Sequence, residues 1–429
     1  MVLNSRKPDP QAAARLFQTA FLPAPRRATI CRADTHPPKF KQPYKGKNMA
    51  NIPPLPRPDI DADGLLEYSV VYTDRSLNHM SQKFQNALRH ISATLKKVYN
   101  APYAAVVPGT GTAGMEAVAR QFARGRKCLI VRNGFFSYRW TQILEQGGIA
   151  AETKVLTARQ DDAFQAPFSP APIDEVCAQI AAFRPDIVFA PHVETASGIM
   201  LPEDYIARLA QAVHAVGSLL AIDCIASGCI WLDMEKLGID ILISAPQKGW
   251  SGSPCAGLVM LNQAAYERAQ QNESDSFALD LKKWLAIMQA FENGGHAYHA
   301  TMPTDGLLRL YEVMKEAEAA GFDTLRAKQI ELGEKMRRLL EAEGFPSVAA
   351  AGFQAPGVVV SYTENPDIQS GKAFIGHGVQ TASGVPLQCG ERADFRTFRL
   401  GLFGLDKLAD PDRTVQTFAD VLAKVKQAV

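Results

Sequence analysis

The sequence predicts an α/β protein: a doubly wound, mostly parallel sheet followed by a smaller C-terminal α+β domain. Three observations predict it. Short, nearly all-apolar runs alternate with helix-length amphipathic segments between residues 80 and 261, the pattern of βα units whose strands are covered on both faces. Polar or glycine-rich clusters follow several of these runs, where an open parallel sheet binds its ligands. Beyond Pro303 the alternation gives way to a long helical stretch and two separate strands.

Taken in order, an amphipathic helix fits residues 81–98, and a short strand over 104–107 enters the turn Pro108-Gly109-Thr110-Gly111-Thr112. That turn opens a helix over 113–122. Strand 128–131, helix 137–146, strand 153–156, helix 173–183, strand 187–191 and helix 203–216 come next. Ile206, Leu209, Val213 and Val216 recur at helical spacing and give the last of these one buried stripe. Strands 219–223, 239–245 and 257–261 complete the large domain. The helical stretch 304–343 should break near Gly321. Strands 358–362 and 397–402 and a final helix carrying Val415, Phe418, Leu422 and Val425 on one face make up the small domain. The expected divisions are therefore 1–48, 49–79, 80–320 and 321–429.

A chain of 429 residues favours two domains. Residues 1–48 hold ten Lys/Arg against two Asp, a net of +8, which leaves −6 for the rest of a chain whose total is +2. The extension is Pro-rich and should be disordered. It reads either as an organelle-targeting presequence or as an upstream-extended start, with Met49 opening the protein proper. The mildly acidic remainder gives no reason to expect nucleic-acid binding. No run approaches the roughly 18–20 apolar residues of a membrane span. Seven dispersed cysteines without a Cys-x-x-Cys pair indicate reduced thiols, so a cytoplasmic location is expected, with an organelle as the alternative. His296 and His299 lack carboxylate or thiolate neighbours in sequence, and no metal site is expected.

The chemistry sits at the strand ends. Lys248 follows the apolar run 239–243, and Asp223 closes the run 219–222. A lysine that forms a Schiff base and a carboxylate that partners a pyridine nitrogen are what a pyridoxal 5′-phosphate (PLP) enzyme requires. Burial and a nearby cation would lower the lysine pKa and free its lone pair. Thr110, Gly111 and Thr112 offer backbone N–H groups and hydroxyls at a helix start, suited to a phosphate; an ordinary capped turn would look the same. Phe135 or Phe136 stands ready to stack on a planar ring or to fill core. His192-Val193-Glu194-Thr195-Ala196-Ser197-Gly198 puts polar groups at a further strand end. Gln247 can donate an amide N–H to the phosphate. Arg399, a single charge in an apolar strand, needs an anion; a substrate carboxylate or a structural salt bridge would supply it.

Together these segments resemble the class V, fold type I PLP-dependent aminotransferases, within them the alanine–glyoxylate and serine–pyruvate group. The likeness runs over most of residues 80–425. It implies that Thr110, Gly111 and Thr112 hold the phosphate, Phe136 stacks on the ring, and Thr195 reaches the 3′-oxygen. It further implies Asp223 on the pyridine nitrogen, Ile225 under the ring, Gln247 beside the phosphate and Lys248 as the Schiff-base lysine. Tyr298 and Thr301, in Tyr298-His299-Ala300-Thr301, would reach the PLP phosphate of a second subunit, making the enzyme a homodimer. Arg399 would bind the substrate carboxylate. Two departures border the substrate: the segment 68–76, with Arg75, in place of the family's Gly-Pro-Gly-Pro opening, and the loop from Gly384 to Cys389. The implied reaction moves an amino group from alanine, serine or aspartate to a 2-oxo acid such as glyoxylate or pyruvate. A cysteine desulfurase or lyase on the same fold is the alternative, with Cys389 as the only candidate thiol. A non-catalytic protein of the fold is the other.

Overall fold

The computed structural model describes residues 57–428. The extension 1–48 and the first part of the 49–79 segment lie outside the described residues. Helix α1 (Gln82–Tyr99) begins where the Ser81 hydroxyl accepts the Phe84 N–H and ends at left-handed Asn100, the ordinary chemistry of helix caps. Phe84, Leu88, Ile91 and Leu95 form its buried stripe.

Seven strands follow: β1 (Tyr103–Pro108), β2 (Lys127–Arg132), β3 (Glu152–Thr157), β4 (Ile187–Pro191), β5 (Leu219–Asp223), β6 (Ile241–Ser244) and β7 (Ala256–Leu261). Between them lie α2 (Gly111–Phe122), α3 (Phe135–Gln146), α4 (Ile173–Phe183), α5 (Glu203–Ala215) and the single turn α6 (Met234–Leu237). The strand order is β1-β7-β6-β5-β4-β2-β3. From β6 to β3 all neighbours are parallel, while β7 runs against both β1 and β6. The mostly parallel sheet expected from the sequence is present, with one strand reversed. Every residue of β4, β5, β6 and β7 is buried, which is why they appear in the sequence as unbroken apolar runs.

The apolar spacing assigns no element between residues 262 and 303, yet α7 (Gln263–Gln271) and α8 (Leu281–Glu292) lie there. Helices α9 (Thr304–Ala320) and α10 (Phe322–Ala342) meet at Gly321, whose φ of +84° breaks the helical run where expected. A second, antiparallel sheet has the order β8-β10-β9, formed by β8 (Val358–Tyr362), the two-residue β9 (Ala382–Ser383) and β10 (Thr397–Gly401). The short helices α11 (Pro366–Gln369), α12 (Lys372–Ile375) and α13 (Leu405–Ala409) and the long α14 (Pro411–Ala428) surround it. Phe418, Val421, Leu422 and Val425 are the buried face of α14, with Val415 only half-buried. No helix among the described residues is long and apolar enough to cross a membrane.

The arrangement places the carboxyl ends of β1, β2, β4, β5 and β6 along one edge of the large sheet, because β1 and β6 run alike on either side of the reversed β7. Helix α2 is drawn close to that edge by a glycine pair. A Cβ on Gly257 would stand 2.6 Å from the Gly114 backbone, so position 257 does not accommodate a side chain without moving the helix.

Candidate active site

Those strand ends line one cavity of about 320 Å³. Thr110, Gly111 and Thr112 enter it between β1 and α2, and Phe136 from the start of α3. Thr195 follows β4, Asp223 ends β5 with Ile225 just beyond, and Gln247 and Lys248 follow β6. Nine of the residues singled out in the sequence therefore share one wall-to-wall site. The walls stand close at Gly111: a Cβ there would lie 2.6 Å from Ile225 Cδ1 and oblige that side chain to turn aside.

Burial sets the electrostatics. The Asp223 carboxyl, accepting the Ile225 N–H at 2.9 Å, is pushed up to about 7 by burial, only partly offset by that bond. A carboxylate in such a place ionises fully only when a cation is brought to it. Lys248 is pushed below its usual value, chiefly by burial and then by the charge of Arg399, with Asp223 pulling the other way. Its ammonium nitrogen lies 5.1 Å from the centre of the Phe403 ring, a cation–π contact. Burial also lowers the pKa of Arg399. Its Nε donates to the Ser383 carbonyl at 2.8 Å and its Nη1 to the Thr195 carbonyl at 3.5 Å. No carboxylate among the described residues forms an ion pair with it, so the structural salt bridge that the sequence left open is not made.

Three residues were not assigned parts from the sequence. The fully buried Glu194 accepts from the backbone N–H groups of Phe136, Ser137 and Ala196 and from the Ser137 hydroxyl at 2.6–3.1 Å. It thus fixes the start of α3 against the turn after β4. Phe403 covers Lys248. Arg139 lines the cavity and donates from Nη1 to the Thr112 hydroxyl at 2.9 Å. The signal for Arg139 was available, since it lies one helical turn beyond Phe136 and shares its face.

Other expected residues stand elsewhere. Tyr298 and Thr301 are exposed, are 3.2 Å apart through their hydroxyls, and do not line this chain's cavity. Arg75 is exposed and paired with Asp74. The loop ending at Cys389 is clamped by Glu391, whose carboxylate accepts the N–H groups of Leu387, Gln388 and Cys389. The Cys389 thiol is pushed up to about 12 by burial. That is the reverse of the exposed, low-pKa thiol a desulfurase needs.

The donor set fits PLP. An amine depressed by burial, a buried carboxyl suited to a cation and a helix start rich in N–H groups line the same cavity. The space matches that of small-ligand pockets in general.

Comparison with known proteins agrees. The family described as Aminotransferase class-V matches residues 63–370. A 2-aminoethylphosphonate–pyruvate transaminase of Paraburkholderia phymatum is 30% identical over 304 residues, 69% of this chain and 76% of that protein. An alanine–glyoxylate aminotransferase of Callithrix jacchus is 27% identical over 305 residues, 70% of this chain and 68% of the other. Among solved structures, an alanine–glyoxylate aminotransferase from Nostoc sp. superposes with a TM-score of 0.68 at 22% identity, covering 81% of this chain and 89% of that one. With the family matched over residues 63–370, this chain belongs to the class V aminotransferases, PLP-dependent enzymes of fold type I.

Proposed function

We propose that the enzyme is a homodimeric transaminase that takes the amino group of a small amino acid (alanine, serine or aspartate) and delivers it to a 2-oxo acid such as glyoxylate or pyruvate. The observation that carries this reading is that Lys248 and Asp223 line one cavity while Arg399, just outside its lining, donates to the carbonyl of the cavity residue Thr195. When bound, PLP supplies an electrophilic aldehyde and a ring that withdraws electrons from the substrate Cα.

The chain's residues divide the remaining work. Lys248, its pKa lowered by burial, would hold the aldehyde carbon and carry a proton at its Nζ. Asp223 would partner the pyridine nitrogen, whose positive charge would favour the ionised carboxylate and keep the ring electron-withdrawing. Phe136 and Ile225 would pack against the ring, and Thr195 would hold its 3′-oxygen. Thr110, Gly111, Thr112 and Gln247 would hold the phosphate, and Tyr298 and Thr301 of a second subunit would complete its site. Arg399 orients the substrate through its carboxylate, and the two half-reactions give ping-pong kinetics. The six cysteines among the described residues are free and mostly buried, which fits a reducing, cytoplasmic setting.

Lys248→Ala should abolish transamination while the fold persists. Borohydride reduction of the loaded enzyme followed by peptide mass analysis should fix the cofactor on Lys248, and a tag on another lysine rejects the assignment. A panel of alanine, serine, aspartate and an aminophosphonate against glyoxylate and pyruvate identifies the pair. Activity with none of the amino acids would reject the proposed donor class.

A further inference from the structure

We propose that Arg139 binds the cofactor's phosphate and supplies the positive charge that the turn after β1 does not itself contain. The inference rests on reading Thr110, Gly111 and Thr112 as the phosphate cradle. A phosphate monoester carries about −1.5 to −2 charges near pH 7, whereas a helix start offers only about +0.5. Of the residues lining the cavity, Lys248 and Arg139 alone are basic. Lys248 is committed to the aldehyde end of the ring. Arg139 is tied to the other end through its bond to the Thr112 hydroxyl at 2.9 Å.

The rest of its surroundings leave the guanidinium free to act. It pairs with no carboxylate among the described residues, and that bond to Thr112 takes up one of its five N–H donors. Its Cζ lies 5.3 Å from the centre of the Phe136 ring, so the aromatic ring restricts the guanidinium without neutralising it. Asp223 senses the same charge, which draws its carboxyl downward against burial. A planar fork held beside a hydroxyl and a row of N–H groups matches the oxygens of a phosphate. Thr112 then has two parts: its own contact with the anion, and a hold on the arginine.

The test separates the phosphate from the ring. The full-length chain, stripped of cofactor, is titrated with PLP and with pyridoxal, which lacks the phosphate, using quenching of intrinsic fluorescence. Arg139→Met should weaken PLP by about tenfold to a hundredfold, the range for losing a hydrogen-bonded charge, while pyridoxal changes little. Arg139→Lys should recover part of the loss. Inorganic phosphate should compete with PLP in the native chain and much less in Arg139→Met. Equal weakening of PLP and pyridoxal, or no change in either, overturns the proposal and leaves Arg139 a support for Phe136. If the native chain binds pyridoxal as tightly as PLP, the cradle reading itself falls and the proposal with it.

Discussion

Arg399 shows what burial demands of a charge. Among the described residues its guanidinium donates to the carbonyl oxygens of Ser383 and Thr195 and lies 5.5 Å from the centre of the Phe136 ring, contacts that do not balance a charge. An incoming α-carboxylate would do so, next to a lysine that already feels its field. Removing one partner of a buried, hydrogen-bonded ion pair typically costs about 2–5 kcal/mol, or roughly 30-fold to several thousandfold in binding. Arg399→Leu should therefore lower kcat/KM for alanine and aspartate alike by that order while PLP stays bound, and Arg399→Lys should rescue only partly. Arg75 is the competing cation, and its pairing with the neighbouring Asp74 leaves it a lesser part. Steady-state kinetics with both donors decide: unchanged efficiency in Arg399→Leu would mean that the carboxylate binds elsewhere.

At the scale of elements, the site depends on how closely α2 rides on β7. Gly257 and Gly114 allow backbone-to-backbone contact, and a Cβ at Gly257 would also press within 2.9 Å of the Thr110 carbonyl. Overpacking of this sort costs about 1–3 kcal/mol. Gly257→Val should lower the melting temperature and, because the displaced turn carries Thr110 and Thr112, weaken PLP binding as well. A variant that melts earlier yet binds PLP normally would show that the turn moves independently of the helix. This coupling could not be read from the sequence, because a glycine in a strand does not name its neighbour. The strands themselves were legible, since full burial of β4, β5 and β6 forces continuous apolar runs. The reversal of β7 was not, for an apolar run buried on both faces carries no direction. Helix α7 escaped notice because only Ala265 and Ala269 are buried in it, too small a stripe to stand out. Lys248 and Asp223 were legible because polar groups ending apolar strands conflict with packing. The work of Glu194 was hidden because its partners are mostly backbone N–H groups, which have no signature in sequence.

The whole molecule carries a surface that a solitary chain would leave wet. Leu65, Tyr68 and Val70 are almost fully exposed, and Phe277 is 77% exposed and Tyr298 56%. The rings of His79 and Tyr298 lie 5.6 Å apart, and the Asp305 carboxylate accepts the Leu77 N–H, so the two regions adjoin. Clustered exposed apolar groups mark association sites. A second copy is the occupant that also explains why Tyr298 and Thr301 stand off their own chain's cavity. Closed two-fold dimers are the commonest oligomers, and each subunit would lend the pair to its neighbour. Light scattering should therefore give a dimer at assay concentration, and Tyr298→Ala with Thr301→Ala should weaken PLP binding without dissociating it. Mixing supplies the sharper measurement. Dimers of Lys248→Ala and dimers of Tyr298→Ala/Thr301→Ala should each be impaired. Co-expressed, they should form mixed dimers in which one site has both its own Lys248 and a native neighbour's Tyr298 and Thr301. Activity regained in the mixed species, beyond the average of the two parents, is the expected result. A fully active monomer, or mixed dimers no better than their parents, would mean that each chain completes its own site.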